Sequence, residues 1–132
     1  MKLSTKTRYG MRFMVDLASH WGEDPVTLKD VAKRQDLSKK YLEQIVALLS
    51  AHGLVRATRG FSGGYRLARD PSEITAADVM RATEGSLSLV DCSSDPESCS
   101  RHKDCATRQL WKDLTDLTET YLSGITLKDL AG

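Results

Sequence analysis

The sequence S-K-K-Y-L-E-Q-I-V-A-L-L-S-A-H-G (residues 38–53), followed by L-V-R-A-T-R-G-F-S-G-G-Y-R-L-A-R (residues 54–69), decides the fold of this chain. The first part predicts a helix that Ser38 caps, because apolar residues recur in it at helical spacing. Those residues are Leu42, Ile45, Leu48 and Leu49. The second part predicts two short strands, about 54–57 and 65–67, joined by a glycine-rich tip. The stretch therefore predicts a helix followed directly by a β-hairpin.

A second short helix is predicted just upstream of this stretch. Thr27 begins a capping-box-like T-L-K-D, a helix over about 28–35 follows, and Asp36-Leu37 makes a tight turn. Two short helices joined by a few residues indicate a helix-turn-helix, whose second helix enters the major groove of DNA at its N-terminal end. The side chains placed to meet bases are those of Lys39, Lys40, Glu43 and Gln44. A generic helical pair with a solvated polar face is the alternative that these two helices leave open.

The hairpin favours the DNA-binding interpretation. Glycines at 60, 63 and 64 allow positive backbone angles and close backbone approach at its tip, and four arginines, Arg56, Arg59, Arg66 and Arg69, flank it. A hairpin that follows a helix-turn-helix is a wing, and an arginine at its tip suits a narrow minor groove. A nucleotide-binding loop is the competing interpretation, but the motif lacks the Lys-Ser/Thr pair of a P-loop and the helix that would follow it.

The N-terminal region adds a helix and a basic surface. Ser4 or Thr5 can cap a helix whose apolar face is predicted to be core; that face comprises Tyr9, Gly10, Phe13, Met14, Leu17, Ala18 and Trp21. Arg8 lies off this face and is placed to meet phosphate. Residues 1–70 hold 13 Lys and Arg against 7 Asp and Glu, whereas residues 71–132 hold 6 against 11. The basic half suits a polyanion such as DNA, and the acidic half suits protein contacts or solvent.

Length and composition exclude several classes of protein. The 132 residues, 40% of them hydrophobic, predict one globular domain that needs no disulfides. The N-terminus lacks the apolar run of a signal peptide, and no segment is apolar enough for a membrane span, so a cytoplasmic protein is expected. No nucleophile has an orienting base and a substrate pocket, so an enzyme is not expected.

The three cysteines lie together in D-C-S-S-D-P-E-S-C-S-R-H-K-D-C, residues 91–105, with the spacing C-x6-C-x5-C. Three thiols on a polar segment of a cytoplasmic protein indicate metal or redox chemistry rather than core packing. A zinc site formed by Cys92, Cys99, Cys105 and His102 is one alternative, and a metal-free thiol redox switch is another.

A long helix is predicted after this segment, from about 106 to 122. Leu110, Leu114, Leu117 and Tyr121 recur on it at spacings of four, three and four, which is typical of a helix that packs on another helix. One small domain has little core left to receive this row, so a homodimer is predicted; docking within one subunit is the alternative. A two-fold dimer suits a pseudo-palindromic operator in double-stranded DNA. Thr75 and Thr126 are predicted caps of two further helices.

These residues resemble the Rrf family of winged helix-turn-helix regulators, and most closely its IscR-like iron–sulfur-cluster regulators. The resemblance covers essentially the whole chain. It is carried by M-K-L-S-T-K-T-R-Y-G, S-K-K-Y-L-E-Q-I, L-V-R-A-T-R-G-F-S-G-G-Y, the cysteine segment, L-W-K-D-L and I-T-L-K-D-L. It implies that Lys40, Glu43 and Gln44 face bases and that Arg59 reaches the minor groove. The residues assigned to DNA contact are Ser38, Lys39, Lys40, Tyr41, Glu43, Gln44, Arg59, Gly60 and Arg8.

The resemblance also implies an iron–sulfur cluster, either 2Fe–2S or 4Fe–4S, on Cys92, Cys99 and Cys105, since cysteine thiolate is the usual ligand of such clusters. Relatives take the fourth ligand from a His or a carboxylate at positions that hold Arg108 and Arg8 here, and arginine offers a metal no lone pair. His102, Asp91 and Asp104 remain candidates for the fourth ligand, as does a small exogenous ligand.

Together these observations predict a mainly α-helical fold with a small β-hairpin. Residues 1–84 are assigned to a winged helix-turn-helix domain, 85–105 to a cysteine-bearing sensor loop, and 106–132 to a dimerisation helix and a short C-terminal helix. The predicted function is a sequence-specific transcriptional regulator, a repressor, whose DNA affinity is controlled by the cluster and which thereby senses iron, redox, nitric oxide or cluster status. The alternative from another class is a metal or cluster carrier that does not bind DNA.

Overall fold

The computed structural model describes residues 2–132, which form a mainly helical fold with a two-stranded antiparallel hairpin, as predicted. The elements in chain order are α1 (Thr5–Ser19), α2 (Leu28–Gln35), α3 (Lys39–Ala51), β1 (Val55–Thr58), β2 (Gly64–Leu67), α4 (Ala76–Glu84), α5 (Asp91–Ser94), α6 (Arg108–Ser123) and α7 (Leu127–Ala131). Helices α2 and α3 are the predicted helix-turn-helix, and the hairpin is its wing. Asp36 turns the chain between α2 and α3 with a left-handed φ of 53°.

Side-chain caps mark the starts of five of the helices, whereas α5 and α6 begin without one. The hydroxyls of Ser4, Thr27 and Ser38 accept backbone N–H groups at the starts of α1, α2 and α3. Thr75 and Thr126 form full capping boxes with Asp78 and Asp129 at the starts of α4 and α7. Each cap satisfies a backbone donor that the helix itself leaves unpaired. All these predicted caps are confirmed.

Helix α1 is at the centre of the main core and contacts α2, α3, α4 and α7. Phe13, Met14 and Leu17 on α1 are buried together with apolar side chains of the other elements. Two core assignments from the sequence are wrong. Trp21 lies beyond the end of α1 and is exposed, and on α3 it is Val46 that is buried while Leu48 is only half-buried.

The wing is anchored to the N-terminal half of the chain. Strand β1 pairs with β2 from Val55–Leu67 to Thr58–Gly64. Val26, before α2, pairs with Tyr65 through two backbone hydrogen bonds of 2.7 and 2.8 Å, so a third short segment joins the hairpin edge. This bridge was not predicted, because Val26 stands alone next to Pro25 and shows no strand pattern.

Gly64 permits this close approach. A Cβ atom at position 64 would lie 2.6 Å from the carbonyl oxygen of Val26, where backbone rather than a flexible side chain must give way. We expect Gly64→Ala to destabilise the protein by about 1–3 kcal/mol, the usual cost of overpacking. Urea denaturation measures this difference, with Ser62→Ala at the exposed wing tip as the control. Equal unfolding free energies for both variants would contradict the prediction.

The C-terminal third is partly integrated with this core. Leu127 of α7 is fully buried in the main core, and Leu122 of α6 packs on a small second cluster of Ala77, Met80 and Leu87. The segment predicted as a sensor loop contains the four-residue helix α5 and a 3-10 turn at Pro96–Ser98. Helix α6 begins at Arg108 instead of residue 106. Among residues 2–132, no helix combines the length and the apolar character needed to cross a bilayer.

Candidate DNA-binding surface and cysteine segment

The first turns of α3 carry the predicted base-contacting residues on an exposed surface. Lys39, Lys40, Glu43 and Gln44 are all exposed, and Ser38 is the cap. Tyr41 is half-buried, with its ring edge-on to that of Tyr9 at 5.8 Å between centroids. Tyr41 therefore also fixes the N-terminal end of α3 against α1.

A buried carboxylate braces α1 against α2. Asp16, whose side chain is only 3% exposed, accepts two hydrogen bonds from Arg34 at 2.7 and 3.1 Å and one from Gln35 at 3.0 Å. Burial alone raises the pKa of this carboxyl, but the bonds from Arg34 and Gln35 hold its pKa below the usual range. Arg12 on α1 also donates to the backbone carbonyl of Gln35. These contacts orient the helix-turn-helix.

The interaction of Asp16 with Arg34 and Gln35 was not predicted from the sequence. Asp16 stands next to the apolar positions of α1, and a lone carboxylate on the border of a buried helix face requires a partner. That signal exists, but the sequence does not say which of the nearby cations supplies the partner.

Arg8 stands on a helix end held by a second polar network. The hydroxyl of Thr7 donates to Glu84 at 2.5 Å and lies 2.8 Å from that of buried Thr83. The hydroxyl of Ser4 also donates to Glu84, and these bonds hold the pKa of the Glu84 carboxyl below its usual range. The network ties the start of α1 to the end of α4, and Arg8 is exposed beside it.

The wing presents a basic surface. Residues 38–69 contain six Lys and Arg and a single acidic residue, Glu43. Arg59 and Gly60 at the tip are exposed, as are Arg56 and Arg66 on the strands. Gly60 has a φ of 108°, a conformation that side-chain-bearing residues rarely adopt.

The three cysteines are free thiols, each partly exposed. Cys92 lies in α5, Cys99 follows the 3-10 turn, and Cys105 precedes α6. A hydrogen bond with the Thr107 hydroxyl, at 3.3 Å, lowers the pKa of the Cys105 thiol. Cys105 therefore has more thiolate character than an ordinary cysteine.

His102 and Arg108 connect this segment to α6. His102 Nδ1 lies 2.8 Å from the carbonyl oxygen of Cys99, and its Nε2 lies 3.7 Å from the Glu97 carboxylate. Arg108, the first residue of α6, donates to the carbonyl of His102 at 3.0 Å. Arg108 thus joins α6 to the cysteine segment.

The predicted metal ligands are not gathered into a preformed site. In the described part of the chain, no three His, Cys, Asp or Glu side chains group closely enough to hold a metal ion. The donor chemistry fits an iron–sulfur cluster, because three free thiols are present and one has a lowered pKa. The ligand set of Cys92, Cys99, Cys105 and His102 stays a prediction.

Helix α6 has two distinct faces. Trp111, Thr115 and Leu122 turn toward their own chain, with Thr115 buried. The four predicted dimer-contact residues lie on an exposed face, and Leu117 and Tyr121 have 68% and 69% of their surface in solvent. The predicted row is therefore not docked within its own subunit.

Comparisons with known proteins agree with this architecture. Residues 3–132 match the Rrf2 family, described as "Iron-dependent Transcriptional regulator". The regulator CymR of Bacillus subtilis is 44% identical over 99% of this chain and 90% of its own length. The structure of CymR, described as that of the global cysteine regulator, superposes with a TM-score of 0.82 and covers 99% of this chain and 96% of the CymR chain.

Two other relatives are similar to this chain. The regulator IscR of Photorhabdus laumondii is 42% identical over 98% of this chain and 79% of its own length. An oxidised form of Staphylococcus aureus CymR is 40% identical, with a TM-score of 0.78 over 99% of this chain and 96% of that chain. As predicted, the relatives are named as transcriptional regulators and not as enzymes. The chain therefore belongs to the Rrf2 family of transcriptional regulators, which includes both CymR and IscR proteins.

Proposed function

We propose that this chain is a homodimeric, sequence-specific DNA-binding regulator that senses metal or redox status through its cysteine segment. Lys40, Glu43 and Gln44 near the N-terminus of α3 contact bases. Ser38, Lys39 and Tyr41 at the same end of the helix contact the sugar–phosphate backbone of the DNA. Arg59 and Gly60 of the wing reach the minor groove, and Arg8 meets phosphate. The basic composition of residues 38–69 supports this assignment.

The sensing group in this proposal is an iron–sulfur cluster held by Cys92, Cys99 and Cys105, with His102 as the candidate fourth ligand. Similarity to IscR proteins and the family description support it. A bound cluster supplies redox-sensitive iron–thiolate bonds. The chain's own contribution is to bring the three thiols together, which requires residues 91–105 to rearrange so that the three sulfur atoms approach one another.

The observation that carries the proposal is the link between the cysteine segment and α6. Arg108 holds the carbonyl of His102, and Thr107 holds the thiol of Cys105, so a rearrangement of the segment acts directly on the first turn of α6. Because α6 carries the exposed row of the proposed dimer face, such a change alters the spacing of the two recognition helices. The cluster-loaded and cluster-free proteins then favour different dimer conformations, and these conformations differ in operator affinity.

Anaerobic purification tests the sensing group. We expect a coloured protein that contains iron and sulfide, and we expect Cys92→Ser, Cys99→Ser and Cys105→Ser each to lose both the colour and the iron. Ser98→Ala, in the same segment, is the matched control and should retain them. The triple Cys→Ser variant should differ from the loaded protein in operator affinity by about 5- to 150-fold, the range of ordinary coupling free energies.

Two results would overturn this assignment. A colourless protein that contains zinc would replace the cluster by a zinc site. Equal operator affinity for the loaded protein and the triple variant would show that the segment does not control DNA binding.

A metal-free thiol switch is a second candidate, favoured by the lowered pKa of the Cys105 thiol and by similarity to CymR, of which an oxidised form is known. In this scheme the Cys105 thiolate attacks an oxygen of a peroxide. The sulfur is oxidised to a sulfenic acid, and the peroxide is reduced with release of water or an alcohol. The bond with Thr107 places that change at the start of α6.

Peroxide treatment of metal-free protein distinguishes the two candidates. If the protein is a thiol switch, peroxide changes its operator affinity, and a sulfenic-acid probe then labels Cys105. Cys105→Ser should lose both the change in affinity and the label, whereas Cys92→Ser should keep the label. If the metal-free protein does not respond to peroxide, the thiol switch is excluded.

A further inference from the structure

Phe61 occupies an unusual position at the tip of the wing. Its side chain is 109% exposed relative to a fully accessible phenylalanine, whereas the next most exposed large apolar side chain among the described residues, Tyr121, is 69% exposed. Tyr121 belongs to the row on α6, but Phe61 lies far from that row in sequence and on the hairpin instead. A single exposed apolar side chain is common on protein surfaces, so a role for Phe61 depends on how the wing supports its ring and on the charges around it.

The wing tip holds this ring away from the rest of the protein. The N–H of Gly63 donates to the carbonyl of Gly60 at 3.0 Å and closes a tight turn with Phe61 and Ser62 at its centre. At Gly63 a Cβ atom would lie 2.2 Å from the carbonyl oxygen of Thr58, so the turn is folded tightly on β1. The Val26 bridge holds Tyr65, the second residue of β2, just behind this turn. Phe61 is therefore presented by a stiff support.

The surroundings of Phe61 identify the chemistry of its partner. The hairpin from residue 54 to residue 69 contains four arginines and no acidic residue, and Arg56, Arg59 and Arg66 are all exposed. An apolar ring surrounded by exposed arginines is complementary to a polyanion whose interior presents apolar faces. Duplex DNA has this combination, since its phosphates lie outside and its stacked bases inside.

We propose that Phe61 is an apolar wedge that enters the minor groove from the wing and partly unstacks one base step. This inference rests on the proposed DNA-binding function and adds a specificity-determining residue to it. Unstacking is easiest at flexible pyrimidine–purine steps such as TA and CA. Phe61 thus selects operators with such a step beneath each wing and bends them, while Arg59 beside it contacts the groove and phosphates.

The experiment uses the whole protein and a duplex selected from a random pool by the wild-type chain. Phe61→Ala is compared with Phe61→Leu, which keeps a wedge, and with Ser62→Ala, which changes the neighbouring exposed residue. We expect Phe61→Ala to bind the selected duplex about 10²- to 10⁴-fold more weakly, because each of the two subunits loses one base–aromatic contact worth about 10- to 100-fold. Phe61→Leu should retain part of the affinity, and Ser62→Ala nearly all of it.

Three further readouts separate a wedge from a general loss of binding. The bend angle measured by energy transfer between the duplex ends should fall for Phe61→Ala. The preference for a pyrimidine–purine step under the wing should disappear in a repeated selection. The dependence of affinity on salt should stay unchanged, because no phosphate contact is lost, whereas Arg59→Ala should reduce the salt slope by about two, one for each subunit of the proposed dimer.

The outcomes distinguish this inference from the function on which it rests. If the wild-type chain selects no duplex, the proposed DNA-binding function fails. If it selects one but Phe61→Ala binds and bends that duplex as the wild type does, the wedge is overturned. A loss of affinity by Phe61→Ala that is equal for single-stranded DNA, or that leaves the bend unchanged, overturns the wedge in favour of simple stacking. Unfolding midpoints equal to wild type establish that the variant is folded.

Discussion

Leu117→Glu is expected to convert the proposed dimer to a monomer and to lower operator affinity by about 10²- to 10⁴-fold, because the second half-site is then no longer bound as a linked event. Leu117 lies at the middle of the exposed row on α6 and has 68% of its surface in solvent, so the substitution costs the isolated subunit little. In a dimer, however, the same carboxylate would be buried against apolar side chains without a partner.

Sedimentation or light scattering measures the oligomeric state of this variant, and anisotropy with a full operator measures its affinity. Thr120→Glu adds the same charge at an exposed position of α6 outside the row and serves as the control. The unfolding free energy extrapolated to low protein concentration should be alike for both variants. A Leu117→Glu protein that remains dimeric would contradict the assignment of this row to the dimer face.

The sequence alone predicts the elements of this fold well because their signals are local. Caps such as Ser38 and Thr75 and the apolar periodicity of α1 and α3 act within a few residues of the chain, and the glycine-rich wing is marked by its own composition. Where the signals are weak at element ends, the bounds move by one or two residues, as they do for β1 and α6. Trp21 was wrongly assigned to the core for the same reason, because the apolar spacing of α1 continues to residue 21 whereas the helix itself ends at Ser19.

What the sequence does not predict are contacts between residues far apart in the chain. The bridge from Val26 to Tyr65, the partners of Asp16 and the bonds from Thr7 to Thr83 and Glu84 all join separate elements. No spacing rule connects such residues, because their meeting depends on how the helices cross. The predicted surface of α3 and the wing could still be assigned, since it requires only that those residues be exposed.

We expect Arg34→Met to destabilise the protein, because it removes the cation that pairs with Asp16. It leaves the Asp16 carboxylate, 3% exposed, without its cation. Because Arg34 itself is 39% exposed and solvent screens the pair, the expected cost is about 1–3 kcal/mol, below that of a fully buried pair. Asp16→Leu combined with Arg34→Met should recover most of this loss, because an apolar pair leaves no buried charge behind. Urea denaturation of the three proteins measures the difference, and Lys33→Met, the same chemical change at the neighbouring exposed position, is the control.

The pH dependence of these variants tests the cause of the loss. In the wild-type protein the lowered pKa of Asp16 means that its ionised form stabilises the fold above its usual pKa, and that this contribution is lost as pH falls through the lowered value. Without Arg34, burial outweighs the remaining bond from Gln35 and raises the pKa of Asp16, so the penalty is greatest near neutral pH and is relieved as acid protonates the carboxyl. The stability gap between wild type and Arg34→Met should therefore narrow on acidification, whereas a gap independent of pH would show that Arg34 acts through packing and not through its charge.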